Sequence, residues 1–263
     1  MNYSKIINKN TAWSSAAFLA TVAMFAGFIV SATNRNYDVN TNMTEPVQKI
    51  YLEPAGYAFV IWLFIYVGFV LYGVYQLVAT LRGSKAYIKA APFIILNSFS
   101  NIGWFYAVRI DSYLLQIFFI VGMLVTLVAI NKYLDLVTLK GRSAANKAIA
   151  VFPISIYLGW IAAATPINIT FWLARDYGLT SFFLGPVVWS ILLVAVSTLL
   201  FGFLYFKSLI NYYTLGAGIW ALVAIGIANL RVALPIGVAA FAGVVMLIAL
   251  LVLQKFRTLK AVG

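Results

Sequence analysis

The 263-residue sequence contains no cysteine and no histidine. The first absence removes any disulfide frame, thiolate nucleophile or cysteine metal site, and leaves the redox compartment unread. The second removes the usual zinc and haem ligand and the usual general base at neutral pH. Charge is scarce as well: charged residues make up 9% of the chain, against about 25% in an ordinary soluble domain. With 64% hydrophobic residues and a mean hydropathy of +0.98, the chain has too little polar surface to face water on all sides. An all-α, polytopic integral membrane protein is predicted.

The six acidic residues fall in loops or at the ends of apolar runs. No carboxylate pair therefore sits at membrane depth for acid–base work or a proton relay. No lysine stands mid-run to carry a retinal Schiff base. Intramembrane proteolysis needs Ser with His, paired Asp or a metal held by His, and no run offers such a set. Catalysis is not expected, nor is a metal or a covalent cofactor.

Apolar stretches of about 20 residues, enough to cross a bilayer core, run at 12–32, 55–81, 90–108, 112–134, 147–173, 183–206, 212–230 and 232–254. Eight transmembrane helices are predicted. The net charge of +12 lies between these runs. With the amino terminus inside, the inner segments hold thirteen of the eighteen basic residues and one acid, Asp135, while the outer segments balance five basic residues against five acids. This is the positive-inside asymmetry, so the basic excess marks topology and anionic headgroups rather than nucleic acid. A multi-pass protein of the plasma (inner) membrane is expected, with both termini cytoplasmic. Lys5 and Lys9 ahead of the first run, and Val30-Ser31-Ala32 at its end, leave a cleaved signal peptide open. A run of about 20 residues, against about 7–15 in such peptides, favours a retained first helix.

The most richly marked stretch is 153–172, PISIYLGWIAAATPINITFW. At 100° per residue, Tyr157, Trp160, Ala164, Asn168 and Phe171 share one face, while Gly159, Ala162, Ala163, Pro166 and Thr170 share the other. The small face admits a close neighbour helix. The aromatic face carries two rings with polar tips, a gap and an amide, which suits a flat apolar ligand as well as it suits packing. In the second run Trp62, Tyr66 and Gly68 follow one another at intervals of four and two. The third run places Asn97, Asn101 and Trp104 on one face. An unpaired amide in hydrocarbon costs several kcal/mol, so both asparagines must point inward, either to a ligand or into bonds between helices. The fourth run is nearly featureless and reads as wall. The Asn- and Thr-rich stretch 33–53 is either a lid over a pocket or a solvated connector.

Together these residues resemble the translocator protein family, also called tryptophan-rich sensory proteins or peripheral benzodiazepine receptors. Tyr157-Leu-x-Trp160-Ile-Ala-x-Ala-Thr-x-Ile-Asn168 is similar to the family's fifth helix, Trp62, Tyr66 and Gly68 keep the spacing of its second, and Asn101-x-x-Trp104 is similar to its third. Phe59-Val60-Ile61 stands where the family has Gly-Pro ahead of the Trp, which leaves a helix start or kink at that depth open. Tyr177 falls after Arg175, so the family's sterol pattern is not kept. The resemblance covers residues 1–175 and implies a five-helix membrane bundle there, with 176–263 as a three-helix membrane extension.

The resemblance further implies a pocket between the second, third and fifth helices. Trp62, Tyr66, Trp104, Tyr157 and Trp160 would wall it, Ala164 would leave room, and Asn97, Asn101 and Asn168 would orient a ligand. The implied ligand is a non-covalently held tetrapyrrole such as a protoporphyrin, or another flat hydrophobic molecule, and the implied role is binding, sensing or transport. Without His, imidazole ligation of haem iron is excluded and stacking must hold such a ring. Two other classes stay open. One is a small-solute transporter, for which the Pro166 and Pro235 regions hint at broken helices. The other is a structural subunit of a membrane complex, whose small-residue faces also suit a homodimer.

Overall fold

Each apolar run becomes one helix, because backbone groups within a bilayer must find their partners inside the segment. In the computed structural model, which describes residues 3–33, 51–179 and 184–260, the helices are α1 (Tyr3–Thr33), α2 (Ile61–Leu81), α3 (Ala91–Arg109), α4 (Tyr113–Tyr133), α5 (Phe152–Tyr177), α6 (Pro186–Phe206), α7 (Tyr212–Asn229) and α8 (Leu234–Lys260). Among the described residues there is no strand. Seven of these helices are long and apolar enough to cross a membrane. The exception is α3, whose hydropathy is lowered by Asn97, Ser98, Ser100 and Asn101. All four are buried, whereas Leu96, Phe99 and Ile102 of the same helix stay exposed and apolar. Its polar groups face protein and its outer side still suits lipid.

Asn146 Nδ2 donates to the Tyr75 and Tyr87 hydroxyl oxygens at 3.3 and 3.5 Å, so the basic loops 82–89 and 132–147 lie at one end of the bundle. Two side chains knit that end together. Arg142 donates to the carbonyls of Leu134, Asp135 and Thr138, each at 2.7 Å, closing the carbonyls left open past α4. Asn211 caps α7 by accepting from the amides of Tyr213 and Thr214, and its Nδ2 donates to the Leu136 carbonyl and to Ser155 Oγ at 2.8 and 2.7 Å.

Helix α5 is the shared wall of the molecule. It packs on α2 and α4 through one side and on α7 through the other. The small face makes the second contact possible: a Cβ on Gly159 would collide with the Thr214 carbonyl of α7. Gly68 of α2 likewise lies against Pro153 of α5. One core cluster joins α1 to α5 and takes Ala217, Ala221 and Ala224 from α7, and a second joins α6, α7 and α8. The last three helices are thus continuous with the first five through α7.

Two sequence expectations change in detail. A 3₁₀ turn, Gly56–Val60, precedes α2, so the helix changes type at the depth where its start was open, without a proline. The break hinted at near Pro166 is absent, since α5 runs through that residue. Thr165 Oγ1, Asn168 Nδ2 and Thr170 Oγ1 bond to the carbonyls of Ile161, Ala164 and Pro166, which supplies polar contacts around a ring that cannot donate. Pro235 sits in the first turn of α8, where its missing N–H leaves no intrahelical bond unmade.

Candidate functional site

A cleft opens at the end of the bundle opposite the basic loops. Its walls are Trp62 of α2, Trp104 and Val108 of α3, the stripe Tyr113, Gln116, Ile120 and Met123 of α4, the outer half of α5, and Ala221 and Ile225 of α7. From α5 come Trp160, Ala164, Asn168 and Phe171, the face that the helical repeat groups together. The cleft holds a cavity of about 130 Å³ and is open at its mouth.

The aromatic side chains hold one another. Trp62 stacks on Tyr66 with centroids 5.3 Å apart and planes 16° from parallel, and it meets Trp160 at 6.3 Å and 84°. Phe59 meets Trp160 at 5.8 Å and 84°. Such offset-stacked and edge-to-face pairs are favoured by the ring quadrupoles, and they fix the indoles as adjacent walls. Trp160 is only 4% exposed, so it is not an interfacial anchor turned toward lipid.

Five of the nine residues expected at a site line this cleft: Trp62, Trp104, Trp160, Ala164 and Asn168. The other four, Tyr66, Asn97, Asn101 and Tyr157, lie beneath it, fully buried. They form its floor. The Tyr66 hydroxyl donates to Asn101 Oδ1 at 3.1 Å, Asn101 Nδ2 donates to the Tyr157 oxygen at 2.8 Å, and the Tyr157 hydroxyl reaches Met123 Sδ at 3.0 Å. One amide therefore ties α2, α3, α4 and α5 together. Asn97 Nδ2 donates to Thr126 Oγ1 and the Met123 carbonyl at 2.9 and 3.2 Å. Asn101 satisfies both ends of its amide between helices, and Asn97 does so through its Nδ2 while its Oδ1 is buried without a partner among the described residues. Asn168 does reach the cleft, and its Oδ1 accepts from Trp104 Nε1 at 3.4 Å, orienting that indole.

The mouth is built by residues 51–60, of which the sequence reading offered 51–53 as part of a lid or connector and missed the rest. Residues 51–60 are pinned to α7 at three points: Ala55 N–H to the Ala224 carbonyl at 3.1 Å, Trp220 Nε1 to the Ala58 carbonyl at 3.0 Å, and Asn229 Nδ2 to the Tyr51 carbonyl at 2.8 Å. This brings Glu53, Pro54 and Phe59 over the opening. Burial against the apolar rim pushes the Glu53 carboxyl above its ordinary range. The lid expectation covers 33–53, of which 34–50 lie outside the described residues and 51–53 lie at the mouth. Arg175 stands beside the cleft, 5.9 Å from the centre of the Tyr113 ring, and pairs with Asp111 at 3.5 Å.

The α4 stripe was also missed. Its spacing of three, four and three was legible, and Gln116 in an apolar run was its one polar signal. Among the described residues no cluster of metal-ligating side chains occurs. The cleft's means are dispersion, stacking and a few hydrogen bonds.

Residues 12–253 match a family described as TSPO-like protein. That match runs past residue 175 and takes in α6, α7 and most of α8. No curated protein and no solved structure matches the chain.

Proposed function

The chain belongs to the TSPO-like protein family, and from that premise we propose that its aromatic cleft binds a flat hydrophobic molecule in the membrane, as a sensor or carrier. The observation that carries this reading is an apolar cleft walled by Trp62, Trp104 and Trp160, with the Trp62 and Trp160 rings at 84° to each other. Flat rings complement such walls, and the buried apolar area supplies the affinity. A tetrapyrrole such as protoporphyrin is the ligand class that the family resemblance implies. The floor favours binding over a permeation path, because the hydrogen bonds of Tyr66, Asn101 and Tyr157 close the bundle below the cleft. By the charge asymmetry, the basic loops face the cytoplasm of a plasma or inner membrane and the cleft opens to the other side.

Titration of protoporphyrin, and of acridine as a flat ligand without carboxylates, into purified protein tests the reading through tryptophan quenching. Saturable quenching that weakens in a Trp62→Ala, Trp160→Ala variant is expected. If neither compound quenches, or if the variant quenches equally, the cleft is not a ligand site. If acridine alone binds, the tetrapyrrole class is dropped.

A further inference from the structure

Taken as a ligand site, the cleft has an uneven charge complement. Among the described residues it is lined by no Lys and no Arg, although the chain carries eighteen of them. Its one carboxyl is Glu53, half-buried at the rim. Among the described residues Glu53 has no cation within ion-pair distance. The nearby cation, Arg175, is paired with Asp111. A ligand with a carboxylate would therefore meet an acid and no counter-charge, which is unfavourable in a water-poor cleft.

The rings point the same way. The face of an aromatic ring carries negative quadrupole density and attracts a cation, with indole the strongest. Trp62 and Trp160 lie at 84° to each other, and Phe59 lies at 84° to Trp160, so successive walls turn a right angle. Asn168 and Gln116 add neutral polar groups to the lining and no positive charge. The Gln116 side chain is buried and lines the cleft, so its amide oxygen can face a donor on a ligand.

From this we infer that the cleft selects flat hydrophobic cations, such as protonated aromatic amines, with the rings enclosing the apolar body and Glu53 facing the positive nitrogen. The selection rests on the reading of the cleft as a ligand site but is separable from it. One tricyclic ring in three charge states provides the test: 9-aminoacridine, cationic at neutral pH; acridine, neutral; and acridine-9-carboxylate, anionic. Each is titrated into protein in an uncharged detergent. The expected order is cation, then neutral, then anion, with the cation about tenfold tighter than the neutral ring. In Glu53→Gln the ratio of cation to neutral affinity should fall to within about threefold. The wild-type order is informative even if that variant folds poorly. Equal binding of all three, or an unchanged ratio in Glu53→Gln, overturns the charge selection while the ligand site stands. Tightest binding of the carboxylate also overturns it and points instead to Arg175. Binding of none of the three overturns the charge selection, and the ligand site falls with it only if protoporphyrin also fails to quench.

Discussion

The side-chain amide of Asn101 donates to the hydroxyl oxygen of Tyr157 at 2.8 Å, and the same asparagine accepts from Tyr66. Three fully buried residues on three helices thereby complete one another. Tyr157→Phe would leave an amide hydrogen without that acceptor inside the bundle. The loss should cost about 0.6–2 kcal/mol, read as a fall of a few degrees in thermal unfolding in detergent. Tyr106→Phe, at a residue 60% exposed, is the control and should change little. Equal effects from the two substitutions would remove the floor network from the account.

The closeness of α5 and α7 depends on one missing methyl group. A Cβ at Gly159 has the Thr214 carbonyl and the Ala217 side chain in its way, whereas Gly216 on the same pair of helices faces open space. Gly159→Ala should therefore destabilise by about 1–3 kcal/mol through overpacking. Gly216→Ala should be neutral or stabilise by up to about 1 kcal/mol through helix propensity. Chemical denaturation of both variants gives the comparison, and the prediction fails if they shift in the same direction by similar amounts.

This contrast explains what the sequence could and could not disclose. The fold was legible because hydrocarbon tolerates few polar groups, so eight apolar runs and alternating loop charge specify helices and their direction. The grouping of Trp160, Ala164 and Asn168 was legible because helical periodicity fixes which side chains share a face. Partner choice was not. Whether Asn101 meets a ligand or Tyr157 depends on which helices adjoin α3, and nothing local encodes that. The contribution of α7 was hidden for the same reason, since Ala221 and Ile225 are ordinary lipid-compatible residues until Gly159 brings α5 against them. Glu53 closed a stretch that read as either lid or connector until three hydrogen bonds between its segment and α7 set it over the cleft.

Ala164 supplies the space between Trp160 and Asn168 along the α5 wall. Ala164→Phe should fill that space without entering the buried core beneath it. Affinity for a flat ligand such as 9-aminoacridine should drop at least about tenfold, since the ring would lose the apolar contact area that holds it. Thermal stability should change little, because the new side chain occupies a cleft rather than a packed interior. A variant that binds as well as wild type would mean that the ligand sits elsewhere.

Glu53 makes the stability of the protein depend on pH in a direction set by its surroundings. Burial raises its folded-state pKa above the ordinary 4.5, so the folded protein holds this proton more tightly than the unfolded chain does. Its contribution is fully retained below the unfolded value and is lost as pH rises through the raised folded value. Asp111, Asp176, Arg175 and Tyr113 at the same end are common to wild type and Glu53→Gln, so the difference between the two proteins isolates Glu53. The wild-type melting temperature should fall relative to the variant's across the window above pH 4.5. Saturating 9-aminoacridine should shrink that fall, because a cation beside the carboxylate lowers its pKa again. Parallel melting curves for the two proteins across this range, with and without the amine, would show that Glu53 ionises as freely as a solvated acid and would remove it from the cleft's electrostatics.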